Sequence, residues 1–439
     1  MAQSTIQSAG SAPYRVWSFV SEYSLLLIFG AIAALVWANL DYHSYHHFVE
    51  YPLLFNDWVG TSADTWVKKA GAEFAHHFEV SGARVLSVHY VINDMLMALF
   101  FAIAGKEVWE AVALKNGSLR GKKALTPLIA TSGGMLGPIA VYLAAAYLLR
   151  DFTMLANGWA IPTATDIAFS YLIGRLVFGA GHPAVRFLLL LAIADDAAGL
   201  IILAVFFPQD DLAPAWLLVS LGAAVAVYLL ANYLPRRMGT GPWVWKTFGA
   251  LPYVIAGVVS WYAFTQAGIH PALGLLPIIP AIPHQDVALG FFAADEADQT
   301  DPLNVMEHAL KAPVEVVLLL FGLANAGVAL TSMNSATWAV LAGLLIGKPL
   351  GIWLMGVLAA DGLKLGLPEG MKNSDLLVLG CVAAIGFTVS LFMATVAFPA
   401  GTVSPEVLEG AKMGALLSFA AAALAFAVSR MMGVRKVEL

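Results

Sequence analysis

The sequence predicts an all-α polytopic membrane protein with about twelve transmembrane helices. Three observations lead to this fold class. Of the 439 residues, 60% are hydrophobic and only 12% are charged. Apolar runs of about 20 residues, the length at which a helix crosses a bilayer, recur along nearly the whole chain. Lys and Arg residues are concentrated in alternate connections between these runs, as in multi-pass proteins.

The apolar runs define the spans in chain order. The first run, from Tyr23 to Leu40, lacks a small-residue cleavage site, so it is predicted to be a retained helix rather than a signal peptide. Residues 1–22 would then form an N-terminal tail and residues 434–439 a C-terminal tail. The predicted spans lie near residues 23–40, 89–112, 124–149, 159–174, 185–207, 213–234, 247–267, 270–283, 312–330, 336–360, 375–398 and 411–433.

The distribution of basic residues predicts the orientation of the chain. If the N-terminus is cytoplasmic, fifteen Lys and Arg residues fall on the even-numbered connections and the C-terminal tail. Because cytoplasmic connections carry an excess of basic residues, both termini are predicted to be cytoplasmic. The opposite side receives only five basic residues, namely Lys68, Lys69, Arg84, Arg150 and Lys412.

Composition excludes several kinds of site. The single cysteine, Cys381, rules out a disulfide framework and a Cys-rich metal site.

Residues 41–88 form a long extracytoplasmic connection that can build a small surface element. Its histidines have no spacing diagnostic of a metal site, so a polar surface or a dimer contact is favoured. These histidines are His43, His46, His47, His76 and His77.

A second connection, residues 285–311, is predicted to be a solvated acidic loop on the cytoplasmic side. It has one lysine, Lys311, against six carboxylates. The acidic residues are Asp286, Asp295, Glu296, Asp298, Asp301 and Glu307.

Two adjacent aspartates, Asp195 and Asp196, lie near the centre of the apolar run LLLLAIADDAAGLIILAVFF, residues 188–207. If both aspartates stayed charged, they would raise the free energy of membrane insertion by about 5 to 7 kcal/mol. The Leu, Ile, Val and Phe residues of the run lower it by roughly the same amount. Carboxylates inside a membrane usually serve a pathway, so a functional site is predicted here. Neighbouring residues of a helix point about 100° apart. One aspartate is therefore expected to line a cavity and the other to have a separate partner.

Lys348 is the only charged residue of the run ATWAVLAGLLIGKPLGIWLMGVLAA, residues 336–360, and it lies at the midpoint. Lysine side chains reach the membrane surface only from near helix ends, so a central lysine is predicted to pair with a carboxylate. Pro349 follows directly and would free a backbone carbonyl or kink the helix at that depth.

Two shorter apolar segments contain residues that interrupt a helix. In WAIPTATDIAFSYLIG, residues 159–174, a break at Pro162 would make oxygen atoms available as ligands for a hard cation. The side chains that carry these oxygens are Thr163, Thr165 and Asp166.

The corresponding segment late in the chain is AAIGFTVSLF, residues 383–392, which is interrupted by Gly386, Thr388 and Ser390. A pair of interrupted segments in the two halves of a chain indicates a transporter site. The strings GGMLGP and LLIGKP also echo each other in the third and tenth spans. Residues 124–207 and 336–433 are therefore predicted to be inverted-topology repeats.

Five strings, taken together, closely resemble the NhaA-type bacterial sodium/proton antiporters: WAIPTATDIAF, LAIADDAAGLIIL, FGLANAGV, GLLIGKPLGI and AIGFTVSLF. They occur in the family's order, and the resemblance runs from about Ile92 to the C-terminus. It implies one antiporter domain in a bacterial inner membrane, with two broken helices that cross at mid-membrane. It also implies a homodimer paired through the first long connection, which is longer here, and a protein with no cofactor and no nucleic-acid partner.

The resemblance also implies roles for individual residues. Asp196 would be the main cation ligand and proton carrier, and Asp195 would be its neighbour, paired with Lys348. Asp166 and Thr165 would lie at the crossing of the broken helices, and Asp166 would join the two central aspartates as a sodium ligand. On span 2, Asp94 is a further matching acid. The matching histidine His270 is expected to begin a helix rather than to bind an ion.

The chemistry of these residues agrees with sodium/proton exchange. Sodium is a hard cation that takes oxygen ligands, which carboxylates, Thr hydroxyls and freed carbonyls supply. Protons and Na⁺ or Li⁺ compete for the same carboxylate oxygens, and competition at one site combined with alternating access is antiport. Exchange of two protons for each sodium ion would make it electrogenic. An antiporter for another monovalent cation such as K⁺, and a non-transporting ion or pH sensor, remain as alternatives.

Three other classes fit the sequence less well. An intramembrane aspartyl protease would leave Lys348 and the paired interruptions without a role. A prenyltransferase with a DDxxD magnesium site is excluded because DDAAG has no third acid. A retinal-binding pump does not fit twelve spans or a proline directly after the lysine.

Regulation by pH is where the sequence departs from the family pattern. Glu107, Glu307 and His308 match residues of the family's pH switch, and they are the candidates for a pH response here. In GKEVWEAV, however, Trp109 and Ala111 replace expected charges, and Lys106 and Glu110 are rearranged. Lys311 occupies a family histidine position, and acids replace a basic stretch before it. A displaced or shallower pH switch is therefore expected.

Overall fold

The structure is a computed structural model that describes residues 12–437 apart from 81, 116, 122–123, 240–242, 285–300 and 400–401. The side chains of residues 12–24 and 236 are also outside the described part. Of the acidic loop, Asp286, Asp295, Glu296 and Asp298 lie outside the described residues.

The described chain is predominantly helical. The α-helices of its first half are α1 (Ala12–Leu40), α2 (Tyr42–Val49), α3 (Ala63–Ala70), α4 (Ala72–Ala75), α5 (Val88–Tyr90), α6 (Met97–Ala113), α7 (Leu125–Leu148), α8 (Phe152–Leu155), α9 (Ile167–Phe178) and α10 (Pro183–Phe206). Those of its second half are α11 (Ala215–Tyr228), α12 (Leu234–Arg237), α13 (Trp243–Phe248), α14 (Leu251–Gln266), α15 (Pro302–Asn325), α16 (Ser335–Ala342), α17 (Lys348–Val357), α18 (Asn373–Ala383), α19 (Phe387–Ala397), α20 (Pro405–Leu417) and α21 (Ala420–Met431).

Shorter helical turns of other kinds continue or interrupt these helices. Turns of 3-10 helix cover Ala156–Thr163, Pro271–Leu273 and Leu276–Ala281. Wider π-helical turns cover Val91–Leu96, Leu229–Tyr233, Gly343–Gly347 and Leu358–Gly362.

Several of these helices are long and apolar enough to cross a membrane. Among the residues that the structure describes, six unbroken helical stretches meet that standard, and the bent pair α18 and α19 makes a seventh. Shorter apolar helices cover Leu25–Leu40, Ile167–Phe178 and Pro271–Ala281. These lengths and compositions are those of an integral membrane protein.

The first helix extends further towards the N-terminus than the sequence predicts. Residues 12–22, which were expected to belong to the N-terminal tail, are helical and continuous with the helix of the first span. The apolar run marks where a span can lie in a membrane, whereas the helical backbone hydrogen bonds continue beyond that run.

The connection after α1 contains the only strands among the described residues, so the all-α prediction is wrong for this segment. β1 (Pro52–Asn56), β3 (Arg84–Ser87) and β2 (Thr61–Ser62) form an antiparallel sheet in that order. Trp66, fully buried, packs with Ala70, Ala75 and Val85 in a separate small core. A long surface connection rich in aromatic residues can bury enough apolar area to order such a sheet. A search for apolar runs of membrane-spanning length does not predict these short strands.

Close packing between α7 and the helix that carries Lys348 fixes the position of that lysine. A Cβ atom on Gly133 would lie 2.1 Å from the carbonyl oxygen of Gly351, and one on Gly137 would lie 2.3 Å from that of Gly347. Small residues allow two membrane helices to approach at the level of their backbones. The echoing strings GGMLGP and LLIGKP thus face each other across one helix pair.

Both interrupted segments break where their sequences predict. The first has 3-10 helix through Thr163 and extended backbone before α9 begins at Ile167. The second bends by 58° between α18 and α19. The two breaks contact each other directly, since the amide of Asp166 donates to the carbonyl oxygen of Ile385 at 2.8 Å. The hydroxyl of Ser390 likewise donates to the carbonyl oxygen of Ile161 at 2.7 Å.

Candidate ion-binding site

Lys348 and Asp195 form a buried ion pair beside the first break. The ammonium nitrogen of Lys348 is 2.8 Å from Oδ2 of Asp195, and neither side chain is more than 1% exposed. Lys348 also donates to the carbonyl oxygen of Thr163, which the end of the 3-10 turn leaves without a helical partner. Thr165 donates its hydroxyl to the same carboxylate oxygen at 2.6 Å. The lysine and a threonine from the break therefore hold Asp195 in one orientation.

Only one of the two oxygens of Asp195 is used in this way. Oδ1 is buried and has no hydrogen-bond partner among the described residues. An acceptor oxygen without a donor is costly inside a protein. It is available to a cation or to a proton that enters the site.

Asp196 follows Asp195 directly on α10, so its side chain leaves the helix about 100° away from that of Asp195. It is partly exposed and makes no hydrogen bond or ion pair with any described residue. A small cavity of about 20 Å³ lies beside both aspartates and is lined by Ala164, Phe101 and Phe392, among others. That volume holds one water molecule or one small ion. Among the described residues, Asp196 thus makes no ion pair and lines a small, mostly apolar cavity.

Asp166 belongs to the contact between the two breaks. Its Oδ1 accepts from the amide of Phe169 at 3.3 Å and so caps the N-terminus of α9. Its Oδ2 accepts from the amide of Thr388 at 3.1 Å and from the hydroxyl of the same threonine. Asp166 therefore joins the start of α9 to the start of α19.

Within the described ranges, no group of three or more His, Cys, Asp or Glu side chains has the geometry to hold a metal ion. Thr388 and the start of α9 engage both oxygens of Asp166. The assignment of Asp166, Asp195 and Asp196 as ligands of one sodium ion stays a prediction.

Asp94 and His270 lie together outside the central site. Asp94 belongs to the π-helical turn Val91–Leu96, and its Oδ1 is 3.7 Å from Nε2 of His270. His270 caps the turn Pro271–Leu273 by accepting from the amide of Ala272 at 3.3 Å. The histidine begins a helical turn, as the sequence predicts.

Two of the three candidate pH-response residues, Glu107 and Glu307, meet around Lys106, a lysine whose role the sequence did not indicate. Its ammonium nitrogen lies 2.8 Å from Glu307, 2.9 Å from Glu110 and 3.7 Å from Glu107. Lys311 is 3.9 Å from Glu307. The structure thus joins α6 and α15 through one buried lysine and several glutamates, whereas His308 is exposed on α15.

The histidine-rich connection has no metal-binding geometry in its described part. His43 and His47 contact each other at 3.1 Å, and the ring of His47 stacks on Phe74. Below them, burial raises the pKa of the Glu50 carboxyl, while Lys69 and Lys412 lower it. A polar surface and a dimer contact both stay predictions for this connection.

Two contacts at the site were not foreseen. Thr388 was recognised only as an interruption, and its bonds to Asp166 depend on the breaks meeting in space. The carbonyl of Thr163 was one of several freed by the break, and the packing of α7 against α17 selects it as the partner of Lys348. In both cases the sequence showed a polar group near a helix interruption. It did not show which residue from another segment that group would contact.

Comparison with known proteins places these residues in a family. The profile of the family described as Na+/H+ antiporter 1 matches residues 17–429. A protein of Jannaschia sp. (strain CCS1) named Na(+)/H(+) antiporter NhaA is 61% identical over 435 residues, which are 97% of this chain and all of the relative. Another of that name, from Desulfitobacterium hafniense (strain DSM 10664 / DCB-2), is 42% identical over 98% of this chain and 99% of the relative.

A solved structure of the sodium proton antiporter MjNhaP1 from Methanocaldococcus jannaschii covers 94% of this chain and 98% of its own, with a TM-score of 0.47 and 14% identity. The profile match spans nearly the whole chain, and the relatives are covered from end to end. The predicted resemblance is therefore confirmed, and the chain belongs to the Na+/H+ antiporter 1 family, with relatives that carry the name NhaA.

Proposed function

We propose that this protein is a secondary transporter, not an enzyme, that exchanges Na⁺ or Li⁺ for protons across the membrane. The exchange proceeds by alternating access, requires no cofactor, and serves sodium and pH homeostasis. The proposal includes twelve spans built from two inverted repeats, in a bacterial inner membrane with both termini in the cytoplasm.

One observation carries the proposal: Asp196 lines a small cavity without an ion-pair partner among the described residues, beside an unpartnered oxygen of Asp195. A proton on Asp196 or a sodium ion beside it would each satisfy this carboxylate, but the cavity has room for only one small occupant. Binding of one therefore excludes the other. This competition couples the two fluxes.

Lys348 gives the exchange its electrical character in this proposal. Before sodium binds, Asp196 carries a proton, and the pair of Lys348 with Asp195 is neutral. Binding of a sodium ion displaces the proton of Asp196, and if the ion also binds the carboxylate of Asp195, Lys348 loses its partner and releases a second proton. Two protons then leave for each sodium ion that binds, so the cycle moves one net charge.

We also propose a homodimer that pairs through the connection between α1 and α5. β1 is an edge strand of the small sheet, and Leu53 and Leu54 on it are more than half exposed. Edge strands with exposed apolar side chains are templates for pairing with a second strand. The edge of a second copy offers the same pattern with two-fold symmetry.

Ion exchange can be measured directly in proteoliposomes. With a preset pH gradient, addition of Na⁺ or Li⁺ is expected to dissipate the gradient, whereas K⁺ leaves it unchanged. Empty liposomes are the control, together with the variant Asp211→Asn, which changes an exposed loop carboxylate. Dissipation by K⁺ as well would replace sodium selectivity with the wider cation class, and no dissipation by any cation would favour a sensor.

The pH response is expected to be displaced or shallower than in relatives that have a strong switch. The neutralising variant Asp295→Asn, Glu296→Gln and Asp298→Asn should move the midpoint of activation to lower pH by about 0.3 unit. The sign follows because an acidic surface raises the proton affinity of its neighbours, so its removal lets them deprotonate at lower pH. Exchange rates from about pH 6 to pH 9 test this. Steep activation that the three changes do not move would contradict it.

A further inference from the structure

A second cavity, far larger than the one at the aspartates, lies between α6, α14, the turn Leu276–Ala281 and α15. Its volume is about 330 Å³, roughly twice that of an apolar cavity that binds benzene. The lining is aliphatic or aromatic apart from Lys106 and Glu307, which pair with each other at 2.8 Å. Because the lining is mostly apolar and its two charged side chains pair with each other, an apolar occupant fits best.

The cavity is accessible from the membrane side. Three of its lining residues, Met95, Val254 and Val258, are exposed on the surfaces of α14 and the helix that leads into α6. The stretch Val88–Ala113, which carries Met95, has the length and composition of a membrane span, and the 16 residues of α14 include no charged side chain. Exposed aliphatic side chains at this depth face lipid hydrocarbon. Lipid chains are therefore the molecules expected at the cavity mouth.

One polar group in the cavity lacks a partner. Tyr253 lines the cavity and is 1% exposed, and its hydroxyl has no hydrogen-bond partner among the described residues. A buried tyrosine hydroxyl normally finds an acceptor or donor. Tyr253 lies in the first turn of α14, close after the aromatic helix α13. Tryptophan and tyrosine collect at this depth, where the ester groups of lipids also lie.

We propose that this cavity binds one acyl chain of a membrane phospholipid, with the ester carbonyl of that chain accepting a hydrogen bond from Tyr253. The chain fills the apolar volume between α6, α14 and α15. It also covers the Lys106–Glu307 ion pair from the membrane side. The site is separate from Asp195 and Asp196, and it does not depend on the transported ion.

Two glycines on lipid-facing helices provide a matched pair of variants. Gly257 lines the cavity, and a Cβ atom there would meet only the end of the Leu275 side chain, at 3.1 Å. Gly222 on α11 has open space at the same position, with no atom within 4 Å. Gly257→Leu therefore fills the cavity, and Gly222→Leu adds the same side chain elsewhere on the membrane surface.

The test uses the full-length protein in proteoliposomes that contain a phosphatidylethanolamine with a photoreactive diazirine on one acyl chain. After illumination, crosslinked peptides are identified by mass spectrometry. Wild type is expected to show crosslinks concentrated on the cavity-lining peptides of α6, α14 and α15. Gly257→Leu should reduce that yield roughly tenfold, and Gly222→Leu should leave it unchanged. Tyr253→Phe should reduce it roughly threefold, the effect of one lost hydrogen bond.

The result that overturns the proposal is labelling spread evenly over lipid-facing peptides, with the same yield in Gly257→Leu as in wild type. Stronger labelling of the cavity by a diazirine fatty acid without a glycerol ester would overturn the assignment to a phospholipid. Thermal melting of each variant shows whether it has folded. If Gly257→Leu does not fold, Ala102→Phe fills the same cavity from α6 and gives the same comparison.

Discussion

Replacement of Asp196 with asparagine is expected to reduce sodium-driven proton movement by roughly two orders of magnitude or more, while the protein stays folded. The amide cannot carry a transported proton or compensate the charge of a cation. It also removes a charge that has no described counter-ion, so folding loses no ion pair. The measurement is dissipation of a preset pH gradient in proteoliposomes, alongside a melting curve of the purified variant.

Two further variants sharpen this test. Asp211→Asn changes a loop carboxylate and should exchange at the wild-type rate. Asp196→Glu keeps a carboxylate in the site but lengthens it by one methylene, so it should retain a measurable part of the exchange. Persistent sodium-driven proton movement in Asp196→Asn would show that another group carries the ion, and the site assignment would be wrong.

Replacement of Lys348 with alanine is expected to destabilise the protein more than the double variant Lys348→Ala and Asp195→Asn does. The single change leaves Asp195 charged, buried and without a counter-ion, which typically costs about 3 to 5 kcal/mol. In the double variant both charges are gone, so only the lost packing of the lysine stem and the altered hydrogen bonds remain. Melting temperatures of the four proteins in this cycle measure the coupling.

Asp195→Asn completes the cycle, because it leaves the lysine charge buried with only Thr163 and the new amide as partners. It should therefore also melt below the double variant. Additive losses, in which the double variant melts lower than either single one by the sum of their effects, would mean that the two residues do not depend on each other.

Much of the site could be predicted from the sequence alone, because the physical properties of a lipid bilayer make its residues conspicuous. A charge in the centre of an apolar run is costly, so Asp195, Asp196 and Lys348 are visible without a structure. Proline, glycine and threonine in a short apolar segment interrupt the helix wherever it lies, so the breaks near Thr163 and Gly386 were also visible. In both cases the signal is local, because it depends on a residue and its immediate neighbours along the chain.

Contacts between distant residues required the tertiary structure. The sequence identified an available lysine and two aspartates but did not by residue chemistry select Asp195 as the partner. That choice follows from the packing of α7 against α17 through glycines, which carries Lys348 to the first break. Likewise, the sequence placed Asp166 among the predicted ligands of the cation, and only the meeting of the two breaks shows that Thr388 donates a hydrogen bond to it.

The small sheet after α1 and the glutamates around Lys106 also separate what the sequence predicts from what only the tertiary structure shows. The apolar pattern determined that the chain crosses a membrane many times, since burial in lipid imposes one length and one composition on every span. It carried no information about residues 52–87, whose strands are ordered by the small core around Trp66. It also did not show that Lys106 joins Glu110 to Glu307, because those two glutamates are far apart in sequence and meet only when α6 packs against α15. Membrane insertion is thus determined by the composition of each segment, whereas the pairing of buried charges is decided by which helices pack together.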